Sequence, residues 1–323
     1  MDILIRLTTL FLVVFSAFGQ TNSYYKAGDT LYYQNNRATY LKTNTLIIIK
    51  QTNVAKNRNT FNVEKHVLDS ISNTYILNAR FITNGLQQLK ANGTFTSYHK
   101  NGNISAVGET VNGKIGNGIW THYYENGEKK SEEKLSKETF FNDQKVNLVV
   151  NFWDKKGIQT VENSNGFIQS ISNENGDTIK GNYKDGLKNG LWTAFDGATK
   201  VYEETYKKGQ IIKGTCWDAE GNAMKYKSVF TKAYYKKPGN GNVEKFIAKK
   251  FDASSAGIIG NILITFIVTK EGNIENVAVL KGLTQDYNAE IKRIISEMSN
   301  WTPAKKRGKS LQSVYNLNLN FKG

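Results

Sequence analysis

Three groups of residues in this sequence could do chemistry. Near the end, Tyr315, Leu317, Leu319 and Phe321 alternate with Val314, Asn316, Asn318 and Asn320. Such a stretch buries one face and holds its backbone N–H and C=O groups out sideways, where an extended peptide can pair with them. Just upstream Lys305, Lys306, Arg307 and Lys309 crowd one turn, a basic patch suited to anionic headgroups or acidic segments. In the middle of the chain Trp120, Trp192 and Trp217 return in phase with glycines, and their rings can either cover a sheet or stack on a sugar. Catalytic groups are missing. There is no phosphate loop, no Gly-x-Ser-x-Gly elbow and no His-Glu-x-x-His helix. Gly113-Lys-Ile-Gly116-Asn-Gly118 has the wrong spacing for a nucleotide loop and reads as a β-turn. His66, His99, His122 and the single Cys216 have no metal-ligand spacing. The expectation is a protein that is not an enzyme, with no cofactor and no metal.

The elements that position these groups follow from composition and pattern. With 323 residues, 39% of them hydrophobic and 22% charged, the chain is long enough for about two globular domains. One cysteine excludes an intrachain disulfide, and two prolines exclude a Pro-rich spacer. Of the net charge of +15, residues 226–323 hold 14 Lys and 2 Arg against 2 Asp and 5 Glu, a net +9. Residues 1–19 combine Arg6, the apolar run Leu10 to Phe15 and a closing Ala17-Phe18-Gly19. That is the outline of a secretory signal peptide cleaved after Gly19. Retention as an uncleaved anchor is the other fate, although the run is short against the ~20 apolar residues that a bilayer core needs. The expectation is export to the periplasm or cell envelope, where nucleic acid is excluded as a partner.

Residues 20–90 read as a β-rich N-terminal region, on runs such as Leu46-Ile47-Ile48-Ile49 and Tyr75-Ile76-Leu77. Residues 91–225 repeat one phrase about every 23 to 25 residues. Asn101-Gly102 recurs as Asn126-Gly127. Gly113 to Gly118-Ile-Trp120 recurs as Gly186 to Gly190-Leu-Trp192, and more loosely as Gly209 to Gly214-Thr-Cys-Trp217. Each unit is a β-hairpin by its turn signals, and the units stack into an antiparallel β-hairpin repeat array. The phrase is degenerate between Lys129 and Asn147. Tyr183-Lys-Asp-Gly186-Leu-Lys-Asn-Gly190-Leu-Trp192 resembles the MORN-type repeat in its bacterial variant, a resemblance that implies architecture more than function.

Pro238-Gly239-Asn240-Gly241 marks a break, so residues 226–242 read as a linker and 243–323 as a separate α+β domain. Val243, Phe246, Ile247 and Phe251 suggest a helix. Ile262, Ile264, Phe266 and Val268, then Glu271-Gly272-Asn273 and Ile274 to Lys281, make a hairpin. Tyr287, Ile291, Ile294, Ile295 and Met298 form a helical stripe. Trp301-Thr302-Pro303 ends that helix, and Val314 to Phe321 is the closing strand. This helix-strand-strand-helix-strand order resembles the TonB C-terminal domain family. The carriers are Gly260, Phe266-Ile267-Val268, Gly272, Val277 to Leu280, Trp301-x-Pro303, Gly308 and the Tyr315 to Phe321 strand. Two features depart from the family. Phe251-Asp252 stands where Tyr-Pro is usual, and neither the uncleaved membrane helix nor the Pro-rich spacer of a TonB transducer is expected here.

The resemblance implies a protein-interaction module that binds an extended peptide of an outer-membrane TonB-dependent receptor, or another envelope protein, by strand addition along Val314 to Phe321. Energy transduction for transmembrane transport would be its setting. Gly260, Gly272, Trp301 and Pro303 are expected to be structural, as are Trp120, Trp192 and Trp217. The alternative is a secreted or surface repeat protein that binds envelope glycan or another protein, with no transducing role. An anionic envelope surface is a further partner for the basic patch, and the sequence sets no oligomeric state.

Overall fold

The computed structural model describes residues 26–34, 37–39, 43–55, 58–86, 88–136, 146–172, 176–236, 241–251 and 259–322. The expected signal peptide, Pro238 to Asn240 and Asp252 lie outside these residues. The described chain is mainly β, with antiparallel pairing and two helices. It divides into two compact units, residues 1–168 with 183–187, and residues 169–182 with 188–323.

In the first unit β1 (Thr30–Gln34) pairs with β2 (Arg37–Thr39) and with β3 (Thr45–Ala55). The chain then runs as a meander through β4 (Arg58–Asp69), β5 (Thr74–Thr83), β6 (Ala91–Tyr98) and β7 (Ile104–Val111). It continues through the short β8 (Lys114–Ile115) to β9 (Ile119–Tyr123), β10 (Lys129–Leu135), β11 (Asn147–Trp153) and β12 (Gln159–Glu162). Alternation decides which side is buried. Ile47, Ile49, Phe61, Val63, Ala79 and Phe81 form a core on one face with Tyr33 and Leu86. Ile48, Glu64 and Arg80 share the other face through the Ile48↔Glu64 and Glu64↔Arg80 pairs. No boundary falls at residue 90, because Ala79, Arg80 and Phe81 of β5 pair with Ser97, Thr96 and Phe95 of β6. The separate N-terminal region expected from the sequence is therefore the start of the same meander.

In the second unit β15 (Leu187–Asp196), β16 (Thr199–Lys207), β17 (Gln210–Trp217) and β18 (Ala223–Tyr226) pair in succession. They are preceded by β13 (Asn165–Ile171) and β14 (Thr178–Lys184), whose residues are shared between the units.

Two turn chemistries alternate along the meander. Asn112-Gly113, Asp185-Gly186 and Lys208-Gly209 have positive φ at both positions, 51° and 76°, 55° and 78°, 49° and 77°. These are two-residue turns whose twist matches the strands they join. At the other ends the chain uses a longer loop closed on one glycine. The N–H of Gly102, Gly127, Gly157 and Gly221 donates to the carbonyl of His99, Tyr124, Asp154 and Asp218, three residues back. Those same four residues donate their own N–H to Asn103, Glu128, Ile158 and Asn222. Asn101-Gly102 and Asn126-Gly127 belong to this second class, with the positive φ on the glycine alone.

After β18 the chain forms β19 (Phe230–Thr231), β20 (Tyr234–Tyr235), α1 (Gly241–Lys250), β21 (Ile259–Val268), β22 (Ile274–Lys281), α2 (Gln285–Ser296), β23 (Trp301–Thr302), β24 (Ala304–Lys306), β25 (Lys309–Leu311) and β26 (Ser313–Lys322). From α1 onward the order is helix, strand, strand, helix and then four strands, three of them short. Residues 226–236 are not a linker. Phe230 pairs with Lys306 and Tyr235 with Trp301, and Ala233 and Tyr235 are buried in the same core as Ile247, Ile264 and Ile295. The sequence hid this because a two-residue strand carries no periodicity.

Candidate functional site

The C-terminal module closes on an aromatic cluster. Trp301 lies 4.8 Å from Tyr315, 5.3 Å from Phe266 and 5.6 Å from Tyr235, ring centroid to centroid. It is buried, and its indole N–H has no hydrogen-bond partner among the described residues. Gly272 sits at φ 86° in the β21–β22 turn, where a Cβ would lie 2.3 Å from the Trp301 carbonyl oxygen. No side chain fits there. At Gly260 a Cβ would meet the end of the Leu283 side chain, at 2.6 Å. Helix α2 starts on Thr284, whose hydroxyl accepts from the Tyr287 N–H, a standard N-cap. It buries Ile291, Ile294 and Ile295.

Strand β26 lies at one edge of a three-stranded sheet in the order β22, β21, β26. Its register with β21 is unbroken over ten pairs, from Ser313↔Val268 to Lys322↔Ile259. Leu317 and Leu319 are buried, and Tyr315 and Phe321 pack against the same core. Val314, Asn316, Asn318 and Asn320 are exposed. Among the described residues no strand pairs with the outer side of β26. An unpaired edge of this length can accept a strand.

The four cations read as one patch have separate fates. Lys305 is exposed. Lys309 reaches the Trp217 carbonyl at 2.9 Å. Arg307 turns inward, against the expectation of a basic surface. Its Nε donates to Glu204 at 2.9 Å, and its guanidinium lies 3.8 Å from the Tyr202 ring centre. Glu204 is fully buried and also accepts from the hydroxyls of Tyr206 at 2.9 Å and Tyr226 at 2.8 Å. Burial first, and then the Glu204 carboxylate, push both phenols well above their ordinary range, so they stay protonated and donate. Burial works against the charge on Arg307, but Glu204 and the tyrosine oxygens outweigh it and raise the guanidinium above its usual value.

The three tryptophans also differ. The Trp120 ring lies flat over Gly108, and the Trp192 ring over Gly181. A Cβ at either glycine would lie 2.2 Å from a ring atom. Tyr226 covers Gly214 in the same way. Trp192 is buried and donates to the Asn182 carbonyl at 3.1 Å, which removes it as a sugar-stacking surface. Trp217 covers none of the described glycines. It is half-buried with Lys200 5.5 Å from its ring. A glutamate completes each row: Glu133 opposes Trp120, and Glu204 opposes Trp192. The reading from sequence missed these rows because it compared neighbours along the chain. The signal was there as glycines 11 or 12 residues before an aromatic and glutamates 12 or 13 residues after one.

Residues 252–322 match the family model of the Gram-negative bacterial TonB protein C-terminal domain. The match spans β21 to β26 and both helical and strand parts of the core just described, while α1, β19 and β20 lie upstream of it. No curated protein matches the chain. Among the described residues no helix is long and apolar enough to cross a membrane. The TonB-type module suggests a role in protein interaction at the cell envelope.

Proposed function

We propose that this chain is an exported cell-envelope protein whose TonB-type module takes an extended segment of an outer-membrane transporter as an added strand along β26. The observation that carries the reading is the free, regular edge of β26, within a segment that matches the TonB C-terminal family. The incoming backbone supplies N–H and C=O groups to the edge, and the exposed Val314, Asn316, Asn318 and Asn320 face its side chains. The role is binding, not catalysis. The strands before the module, read as MORN-type repeats, serve as its stiff support, and transport energy transduction is the process in which such a module would act. The test is binding of synthetic peptides from transporter N-terminal segments. Asn318→Pro removes one N–H from the strand and Asn318→Ala keeps the ladder. The proline variant, shown by circular dichroism to be folded, should lose binding while the alanine variant retains most of it. Equal binding by both would rule out strand addition.

A second reading, an envelope glycan or anionic surface bound by the repeats, draws on the lysines beside half-buried rings. Lys129 lies 4.9 Å from Trp153, and Lys180 lies 5.3 Å from Phe195. Retention on purified cell-wall glycan, lost in Trp153→Ala, would favour it.

A further inference from the structure

Glu204 and Arg307 are 103 residues apart in sequence, and their contact fixes the β24–β25 hairpin of the C-terminal module to β16 of the array. The tip of this hairpin, Arg307-Gly308, is a two-residue turn with φ 51° and 81°. It enters the array with an arginine and a glycine and no large apolar side chain. Around it, the Cys216 thiol donates to the Arg307 carbonyl at 2.7 Å, the Arg307 N–H donates to Val229 at 2.8 Å, and Lys309 holds the Trp217 carbonyl. The hairpin is thus held by polar bonds, with the Tyr202 ring under Arg307 and Met224 beside Gly308 as its apolar neighbours.

We propose that Glu204 and Arg307 form a releasable clamp: the β24–β25 hairpin leaves the array as one local unit, and Cys216 is covered while the clamp is shut and uncovered when it opens. A buried ion pair repays its loss of hydration only in part, so it fixes geometry more than it adds stability. Opening leaves neither charge stranded. Glu204 keeps the hydroxyls of Tyr206 and Tyr226, and Arg307 passes to water. The first unit shows that the row tolerates an unsealed carboxylate. Glu133, opposite Trp120, accepts from Ser131 at 3.1 Å, faces His122 at 4.0 Å and keeps a side chain that is 25% exposed. The side chain of Glu204 is 0% exposed, with Arg307, Tyr206 and Tyr226 all against its carboxylate. The clamp also lies in series with the edge strand, since β25 ends at Leu311 and β26 begins at Ser313. A displacement of β26 along its own axis reaches Arg307 through that short connection.

The chain has one cysteine, so its thiol reports the state of the clamp. The experiment labels the full chain with an aromatic disulfide under native conditions over a range of urea concentrations. Tryptophan fluorescence follows global unfolding in parallel. Labelling of the wild type should depend on urea less steeply than global unfolding does, the signature of a local opening. Glu204→Gln and Arg307→Ala should raise the native labelling rate by about tenfold or more, and should lower global stability by no more than the same free energy. A wild-type rate that follows global unfolding with its full urea dependence would overturn the clamp, and so would variants that label at the wild-type rate. The wild-type measurement decides the matter even if a variant fails to fold. None of these outcomes depends on whether β26 binds a peptide.

Discussion

At Gly108 and Gly181 the missing side chain is what lets a tryptophan ring lie on the backbone of the neighbouring strand. Gly181→Ala would drive a methyl group into the Trp192 ring, at 2.2 Å from its nearest atom, and should lower stability by about 1 to 3 kcal/mol. Gly118 has open space around its Cβ direction and no positive φ, so Gly118→Ala should stay within about 0.5 kcal/mol. Urea unfolding of the two variants checks the contrast, and equal losses would mean that the ring contact is not what holds the strands. Asp69 gives a second residue-level outcome. The Lys100 ammonium, and then the N–H and hydroxyl of Ser72, hold its carboxyl at about 2, against an ordinary 3.8. A carboxyl that is more acidic in the folded chain contributes stability above its unfolded pKa. That contribution is present above 3.8 and is lost as the pH falls through about 2. In Lys100→Ala, carboxyl NMR should show the Asp69 midpoint moving up toward 3.8, and an unmoved midpoint would assign the shift to Ser72 alone. The glycines themselves were legible in the sequence, but their partners were not. Gly108 meets Trp120 only once the strands between them have folded back, and a cross-strand contact has no local signature. Arg307 was misread for the same reason. A cation in a turn looks solvated until its partner, 103 residues away, is in place.

Among the elements, those with strong periodicity were the readable ones. The alternation of β26 correctly separates Leu317 and Leu319 inside from Asn316, Asn318 and Asn320 outside, because a half-buried strand must show a period of two. The stripe of α2 places Ile291, Ile294 and Ile295 in the core for the equivalent helical reason. By contrast β19, β20 and β23 are two residues long, too short for any pattern. β20 and β23 form because the module's core offers Tyr235 and Trp301 a place to pack, while the exposed β19 is held by its pairing with β24. This gives Trp301 two separable contributions. Trp301→Ala should cost about 3 to 5 kcal/mol through the cavity left among Phe266, Tyr315 and Tyr235. Trp301→Phe keeps a ring in the cluster and removes an indole N–H that has no partner, so its loss should stay under about 1.5 kcal/mol. Thermal or urea unfolding distinguishes the two. A phenylalanine variant as unstable as the alanine one would show that the full indole outline, and not ring contact alone, sets the packing.

For the whole molecule, the question is where the TonB-type module begins. The family match starts at residue 252 and the sequence break at Pro238, yet the packing starts earlier, since Ala233 and Tyr235 belong to the module's core. Tyr235 touches Phe246 at 5.5 Å and Trp301 at 5.6 Å, and its strand pairs with β23. A fragment of residues 243–322 would leave the Trp301 face open, whereas one of residues 226–322 would keep it closed. Neither contains Glu204, so the clamp is absent from both and the comparison isolates the packing of β19 and β20. Burying an aromatic of this size removes about 150 to 250 Å² from water. At about 25 cal/mol per Å², reduced for a compact unfolded chain, that is about 2 to 5 kcal/mol. The longer fragment should therefore unfold at a clearly higher urea concentration, and Tyr235→Ala within it should return the midpoint to near that of the shorter one. If both fragments unfold together and Tyr235→Ala changes nothing, the module is complete from α1 onward and residues 226–236 merely lie against it.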